Sequence, residues 1–139
     1  MKKLLINAFV LISCIINAQQ INKTTQDSKG RLMLLGKTNK KAFETKEFSW
    51  FQKNYDKYII NDKVVNQLKD SLKNYKIKAF YGTWCGDSKR EIPKFYKVLD
   101  KAGFNKNSLE VIAVDRKPEA YKASPNGEEK GLNVHRVPT

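Results

Sequence analysis

Residues 76–88 read Lys-Ile-Lys-Ala-Phe-Tyr-Gly-Thr-Trp-Cys-Gly-Asp-Ser. The first six carry the aliphatic and aromatic side chains of a strand, which runs straight into residues 82–88. Beyond Ser88 the period changes. Ile92, Phe95, Tyr96 and Leu99 recur at i, i+3, i+4 and i+7, which is one face of a helix. Pro93 lies inside that helix and is expected to kink it. Gly103 fits the left-handed stop, with Phe104 folding back on Leu99. Residues 109–114 (LEVIAV) are nearly continuously apolar, as in a parallel strand buried on both faces. Strand, helix, strand is an α/β order. It places Cys85 at the mouth of the helix.

Upstream, residues 31–36 (RLMLLG) read as a short strand or packing segment, and residues 36–41 as a loop. Thr45 can cap a helix with Phe48, Phe51, Tyr55 and Tyr58 on its apolar side. Asn61 or Asp62 can cap a second. Its apolar face is Val64, Val65, Leu68, Leu72 and Tyr75, opposite Lys63, Asn66, Lys69, Asp70 and Lys73. These stripes read as core rather than as a cofactor box. Residues 31–75 thus form an N-terminal extension of one strand and two helices, packed on residues 76–139. Residues 19–30 are polar and without period, a leader. Downstream, residues 118–131 read as a loop and short helix, with a turn at residues 124–127 (SPNG).

The front of the chain carries a targeting pattern. Met1-Lys2-Lys3 is a basic start, and residues 4–16 are an apolar run of signal-peptide length, short for a bilayer span. Ala18 is a suitable small residue before a cut, so residues 1–18 read as a signal peptide. A second reading competes: Leu11-Ile12-Ser13-Cys14 resembles a lipobox, with Cys14 as a lipidated anchor. Against it, Ile15 and Ile16 continue the apolar run. Either outcome leaves Cys85 as the one usable thiol of an exported protein, placed in the periplasm or cell envelope. A lone cysteine forms no internal disulfide.

Composition narrows the function classes. The 139 residues are 40% hydrophobic and 29% charged, the balance of one globular domain rather than a low-complexity or collagen-like chain. Two cysteines and one histidine are too few for a disulfide scaffold or a structural zinc site. No P-loop or GxGxxG stretch cradles a phosphate. No cofactor or metal is therefore expected. The chain carries 27 Lys and Arg against 14 Asp and Glu, a formal net charge of +13. Only four of the basic residues are Arg (31, 90, 116 and 136), and the lysines are scattered. Nucleic-acid readers concentrate their charge on one face and favour Arg. The pattern reads as a solvated basic surface without a nucleic-acid partner. Weak attraction to an anionic envelope surface is the remaining reading of the charge.

The stretch 80–88 (FYGTWCGDS), with Pro93 in the following helix, resembles the thioredoxin family. Residues 129–139 (EKGLNVHRVPT) resemble the family's approach to its cis-proline loop. Trp-Cys-Gly-Asp-Ser followed by Lys-Arg-Glu is nearer the exported bacterial branch than thioredoxin itself. The resemblance covers residues 76–139. It implies a thioredoxin-like α/β fold: three layers around a central mixed sheet. It also implies that Pro138 is cis and packs on the cysteine, and that the Val137 backbone and Pro138 hold an extended substrate. The family continues past its proline by about 30 residues, a hairpin and a helix by ordinary element lengths. The chain is thus expected to be a fragment lacking the C-terminal strands and helix. Residues 76–81 would then be an open sheet edge.

At a helix start, free N–H groups and the helix dipole favour a thiolate on Cys85. Lys89 and Arg90 add positive charge in the first turn, Asp87 opposes them, and Trp84 adjoins the thiol. Ser88, three residues on, can donate a hydroxyl hydrogen bond to Cys85. Two departures from the family stand out. Ser88 replaces the resolving cysteine of Cys-x-x-Cys, and Ala79 stands where the buried acid would be. The expected activity is a monothiol one: thiol–disulfide exchange or isomerisation with protein or small thiols, completed by an outside thiol. Two other functions remain: a redox-silent binding or chaperone-like module, and a basic surface-binding protein. Among weaker candidates, His135 could pair with Cys85 but reads as a surface histidine. Asp115 reads as a turn or cap residue. Glu91, Glu128 and Glu129 show no acid–base spacing.

Overall fold

The structure, a computed structural model, describes residues 20–139. The targeting readings on residues 1–18, the Cys14 anchor included, lie outside the described residues. The described residues are mixed α/β, with a small mixed sheet, a separate hairpin and three α-helices.

The decisive stretch folds as its pattern requires. Strand β4 (Ile77–Tyr81) leads through a tight turn into α3 (Gly86–Ala102), which returns to β5 (Leu109–Ala113). β4 and β5 are parallel, with Phe80 opposite Ile112 and Tyr81 opposite Ala113. β5 is central because both its faces are buried. Val111 and Ala113 join a cluster with Tyr81, Ile92 and Tyr96, while Ile112 and Val114 join another with Phe80 and Val137. That two-sided burial is why the sequence of β5 does not alternate.

α3 runs through Pro93 without interruption. Proline lacks the N–H that would bond the carbonyl of Lys89, four residues back. Asn54 supplies it instead, its Nδ2 donating to Lys89 O at 3.0 Å. Asn54 belongs to α1 (Trp50–Lys57), so the proline gap becomes a link between helices. Lys97 of α3 returns the favour to α1, donating to the carbonyls of Asp56 (3.1 Å) and Tyr58 (2.8 Å) at its end. Gly103 stops α3 at φ 66°, and the Phe104 amide bonds Leu99 O.

Three sequence expectations change. The loop expected over residues 36–41 begins with strand β3 (Gly36–Thr38), antiparallel to β5 on the side away from β4. The polar leader 19–30 contains β1 (Thr24–Gln26), which pairs with β2 (Leu32–Leu34) as a hairpin. Neither strand has an apolar alternation; both are held by backbone pairing. The run 31–36 is therefore split between two sheets at Leu35. The third change concerns α2 (Asp62–Leu72), capped by Asn61 Oδ1 accepting from Val64 N at 3.2 Å. Its apolar stripe is not all core: Val65 is buried, but Val64, Leu68 and the nearby Tyr75 are exposed. β4 is the edge strand of its sheet, as expected, and on its outer side Phe80 exchanges both backbone hydrogen bonds with Thr139 (2.7 and 3.0 Å).

The hairpin turn is organised by Asp27, a buried carboxylate. It accepts from the amides of Lys29 (2.8 Å) and Arg31 (3.0 Å) and from Arg31 Nε (2.8 Å), with Arg116 Nη1 at 3.5 Å. Burial acts to raise its pKa, but the Arg31 and Lys29 amides and the Arg31 guanidinium together hold it below the ordinary carboxylate value. Its contribution to stability is complete above that ordinary value and disappears as pH falls through the lowered one. Asp27→Asn is accordingly expected to melt several degrees lower than the parent at pH 7, and the gap should close at low pH. Thermal melts of both proteins from pH 7 to 2 check this. A gap independent of pH would count against an ionised Asp27.

Candidate functional site

Cys85 is the N-cap residue of α3, half-buried and unpaired by any disulfide. The turn that delivers it is closed by the Cys85 amide bonding Gly82 O at 2.9 Å, and the first helical turn by Lys89 N bonding Cys85 O at 3.0 Å. The amides of the next residues are those that a helix leaves without internal partners. Behind the sulfur stands the cluster of Phe80, Ile112, Val114 and Val137, against which Trp84, Cys85 and Val134 pack. The thiol donates to Val137 O at 3.3 Å, and the Val137–Pro138 peptide bond is cis. Residues 52 apart in the chain thus meet at the sulfur. Thr139 pairs with Phe80 just beyond, which fixes the loop to β4.

Ser88 lies close in sequence but is engaged elsewhere. It is fully buried, and its Oγ accepts from Gly82 N at 3.2 Å. That bond uses a lone pair and leaves the hydroxyl proton for another acceptor. Trp84 spans the site: its Nε1 donates to Val114 O at 3.0 Å, and its ring lies 5.6 Å from that of Tyr121.

The two cations of the first turn each have a partner other than the sulfur. Arg90 forks between Asp87 (2.7 Å) and Glu91 (2.6 Å). Glu91 is held below its ordinary pKa chiefly by that Arg90 hydrogen bond. Lys89 places its ammonium 5.9 Å from the centre of the Trp50 ring in α1. His135 is exposed, and its carbonyl accepts from Lys122 Nζ. The hydrogen bond of Cys85 goes to Val137 and not to the imidazole. Asp115 is a turn residue, its Oδ1 accepting from the amides of Arg116 (2.6 Å) and Lys117 (2.9 Å). Glu128 and Glu129 gather round Ser124 and its turn. Ala79 is buried in β4. Among the described residues no group of three or more His, Cys, Asp or Glu could hold a metal ion, and no helix is long and apolar enough to cross a membrane.

Two contributors were not singled out from sequence. Thr83 is buried, and its Oγ1 accepts from Leu34 N at 3.2 Å, which ties the hairpin to the cysteine turn. Gly82 lets the Trp84 indole lie directly on the backbone, since a Cβ there would meet the ring at 2.5 Å. A Gly-Thr pair between strand and Trp-Cys was the only sequence signal for either. No protein-family model, curated protein or solved structure matches the chain.

Proposed function

We propose that the chain is an exported thioredoxin-like protein that exchanges disulfides through Cys85 alone. The contact of Cys85 Sγ with the carbonyl preceding cis-Pro138 carries this reading. It supports a thioredoxin-like arrangement of β4, α3 and β5, with a thiol at the helix start and a backbone segment beside it on which an extended partner could lie. The partner is a protein or small molecule with a disulfide or thiol. The Cys85 thiolate attacks one sulfur of the partner's disulfide. A Cys85–partner disulfide forms, the partner's S–S bond breaks, and its other sulfur leaves as a thiolate. Disulfide count is unchanged. An outside thiol then attacks the mixed disulfide and releases Cys85, because Ser88 has no sulfur with which to do so. Trp84, Ser88, Val137 and Pro138 shape the site, and Lys89 and Arg90 contribute a weak field. Export through residues 1–18 belongs to the same proposal.

The test is a mixed disulfide. The chain is treated with glutathione disulfide, and adducts are mapped by peptide mass spectrometry. The expected result is a Cys85 adduct that persists on dilution, is discharged by added thiol, and is absent from Cys85→Ser. A folded chain that forms no adduct, while a short cysteine peptide does, would overturn the reading. It would favour a redox-silent binding module instead, which Ala79 in β4 and Ser88 bound to Gly82 also fit.

A further inference from the structure

At the far end of α3 from Cys85 lies a partly enclosed cavity of about 90 Å³. Its walls are mainly apolar, formed by Leu99, Phe104, Leu109 and Val111. Exposed Asn39 and Lys106 mark the side on which it meets solvent. Cys85 and Asp100 are fifteen residues apart on one helix, so the cavity is about 22 Å from the thiol at 1.5 Å per residue.

One lining residue is anomalous. Tyr96 is 5% exposed, and its Oη is a buried polar atom with no hydrogen-bond partner. Buried hydroxyls are nearly always paired, because an unmade bond leaves the desolvation cost uncompensated. The neighbouring polar groups bond other partners, not Tyr96. Asp100 Oδ2 accepts from Lys40 Nζ at 2.6 Å and from Tyr55 Oη at 2.8 Å. Thr38 Oγ1 is bonded to Tyr81 Oη (3.0 Å) and to Val111 O (3.2 Å). Asp100 and Thr38 both line the cavity. Tyr96 lines it beside them. Burial, with Asp100 adding to it, raises its pKa, so its proton is retained and available to donate.

We propose that this cavity binds a small, mainly apolar molecule carrying one hydrogen-bond acceptor, which Tyr96 Oη meets. Mainly apolar walls with a few placed polar groups are the usual makings of a small-molecule site, and here the buried polar atom without a partner is Tyr96 Oη. A closed apolar cavity of ~150 Å³ accommodates benzene. This smaller cavity, open on one side, suits a compact ring or branched chain whose oxygen points inward.

Cyclopentanone is the probe, with methylenecyclopentane as the hydrocarbon of the same shape lacking the acceptor. Both are titrated into the full chain and followed by NMR. The ketone is expected to give saturable shifts and intermolecular contacts at Tyr96, Leu99 and Val111. Tyr96→Phe removes only the unpaired hydroxyl and should fold at least as well. In that variant the preference for ketone over hydrocarbon should fall about tenfold, the worth of one hydrogen bond to a buried donor. Cys85→Ser should titrate like the parent, which keeps this result separate from the thiol reading. No saturable shift, contacts located elsewhere, or a bound water at Tyr96 that neither probe displaces would overturn the proposal. So would a ketone preference unchanged in Tyr96→Phe. If that variant fails to fold, contacts between the ketone and the Tyr96 ring in the parent decide: present they support the site, absent they sink it.

Discussion

Phe43→Ala is expected to lower the unfolding free energy by about 3–5 kcal/mol, the range for deleting a buried phenylalanine ring. Phe43 is 3% exposed at the end of the 3-10 turn Lys40–Phe43. Its ring stacks on Phe51 at 4.2 Å and 11°. It meets Phe48, Trp50 and Tyr96 edge-on at 6.3, 5.6 and 6.2 Å. It also approaches Tyr81 of β4 at 5.7 Å. These neighbours come from the turn before α1, from α1 and α3, and from the sheet. They are large and held on regular elements, so they cannot close on the space left behind. Small domains have only about 5–15 kcal/mol in total, so the loss is a large fraction of it. Urea unfolding of the two proteins measures it. A loss under about 1.5 kcal/mol, the figure for well-tolerated core swaps, would mean that the aromatic cluster is not packed as described.

The sequence foretold what local periodicity encodes. β4, α3 and β5 follow from runs that a single element explains, and Asn61 and Gly103 act as the cap and stop that their residue types predict. β3 was illegible because Gly-Lys-Thr has no strand signature. It is a strand because Gly36 and Thr38 lie opposite Ala113 and Val111 on an already formed β5. β1, Thr-Thr-Gln, is a strand for the same reason, with β2 as partner. α2 shows the converse. Its stripe correctly says which residues share a face, but a shared face need not be covered, and Val64 and Leu68 remain in solvent.

The same division runs through the site. Cys85 at the start of α3 was legible, since a strand, a turn and a helical period fix it. The partners of its neighbours were not. Which way a hydroxyl or guanidinium turns depends on competition among nearby groups. Gly82 N–H claims Ser88 Oγ, and Asp87 and Glu91 claim Arg90. The Arg90 outcome follows spacings of three and one residues and could have been read; the Gly82–Ser88 bond needs the shape of the turn. Thr83 escaped because its partner, Leu34 N, lies 49 residues away.

Gly82→Ala tests that turn. A Cβ at position 82 would stand 2.5 Å from Trp84 Cε2, 2.7 Å from Nε1 and 2.9 Å from Cζ2. The indole is rigid, so the whole ring must move rather than bend. Moving it breaks Nε1–Val114 O and disturbs the packing on Tyr121. Overpacking of this kind costs about 1–3 kcal/mol, and the lost hydrogen bond about 1 more. The effect reaches the thiol, because Gly82 also donates to Ser88 Oγ and accepts from the Cys85 amide. The expected outcome is therefore threefold: lower stability to urea, a displaced Trp84 indole N–H resonance, and faster alkylation of Cys85. Gly86→Ala, whose Cβ would meet nothing within 4 Å, is the matched control and should change little. Were Gly82→Ala as stable as the parent, with the indole resonance unmoved, Trp84 would not lie against the turn. The account of how Cys85 is held would then fail with it.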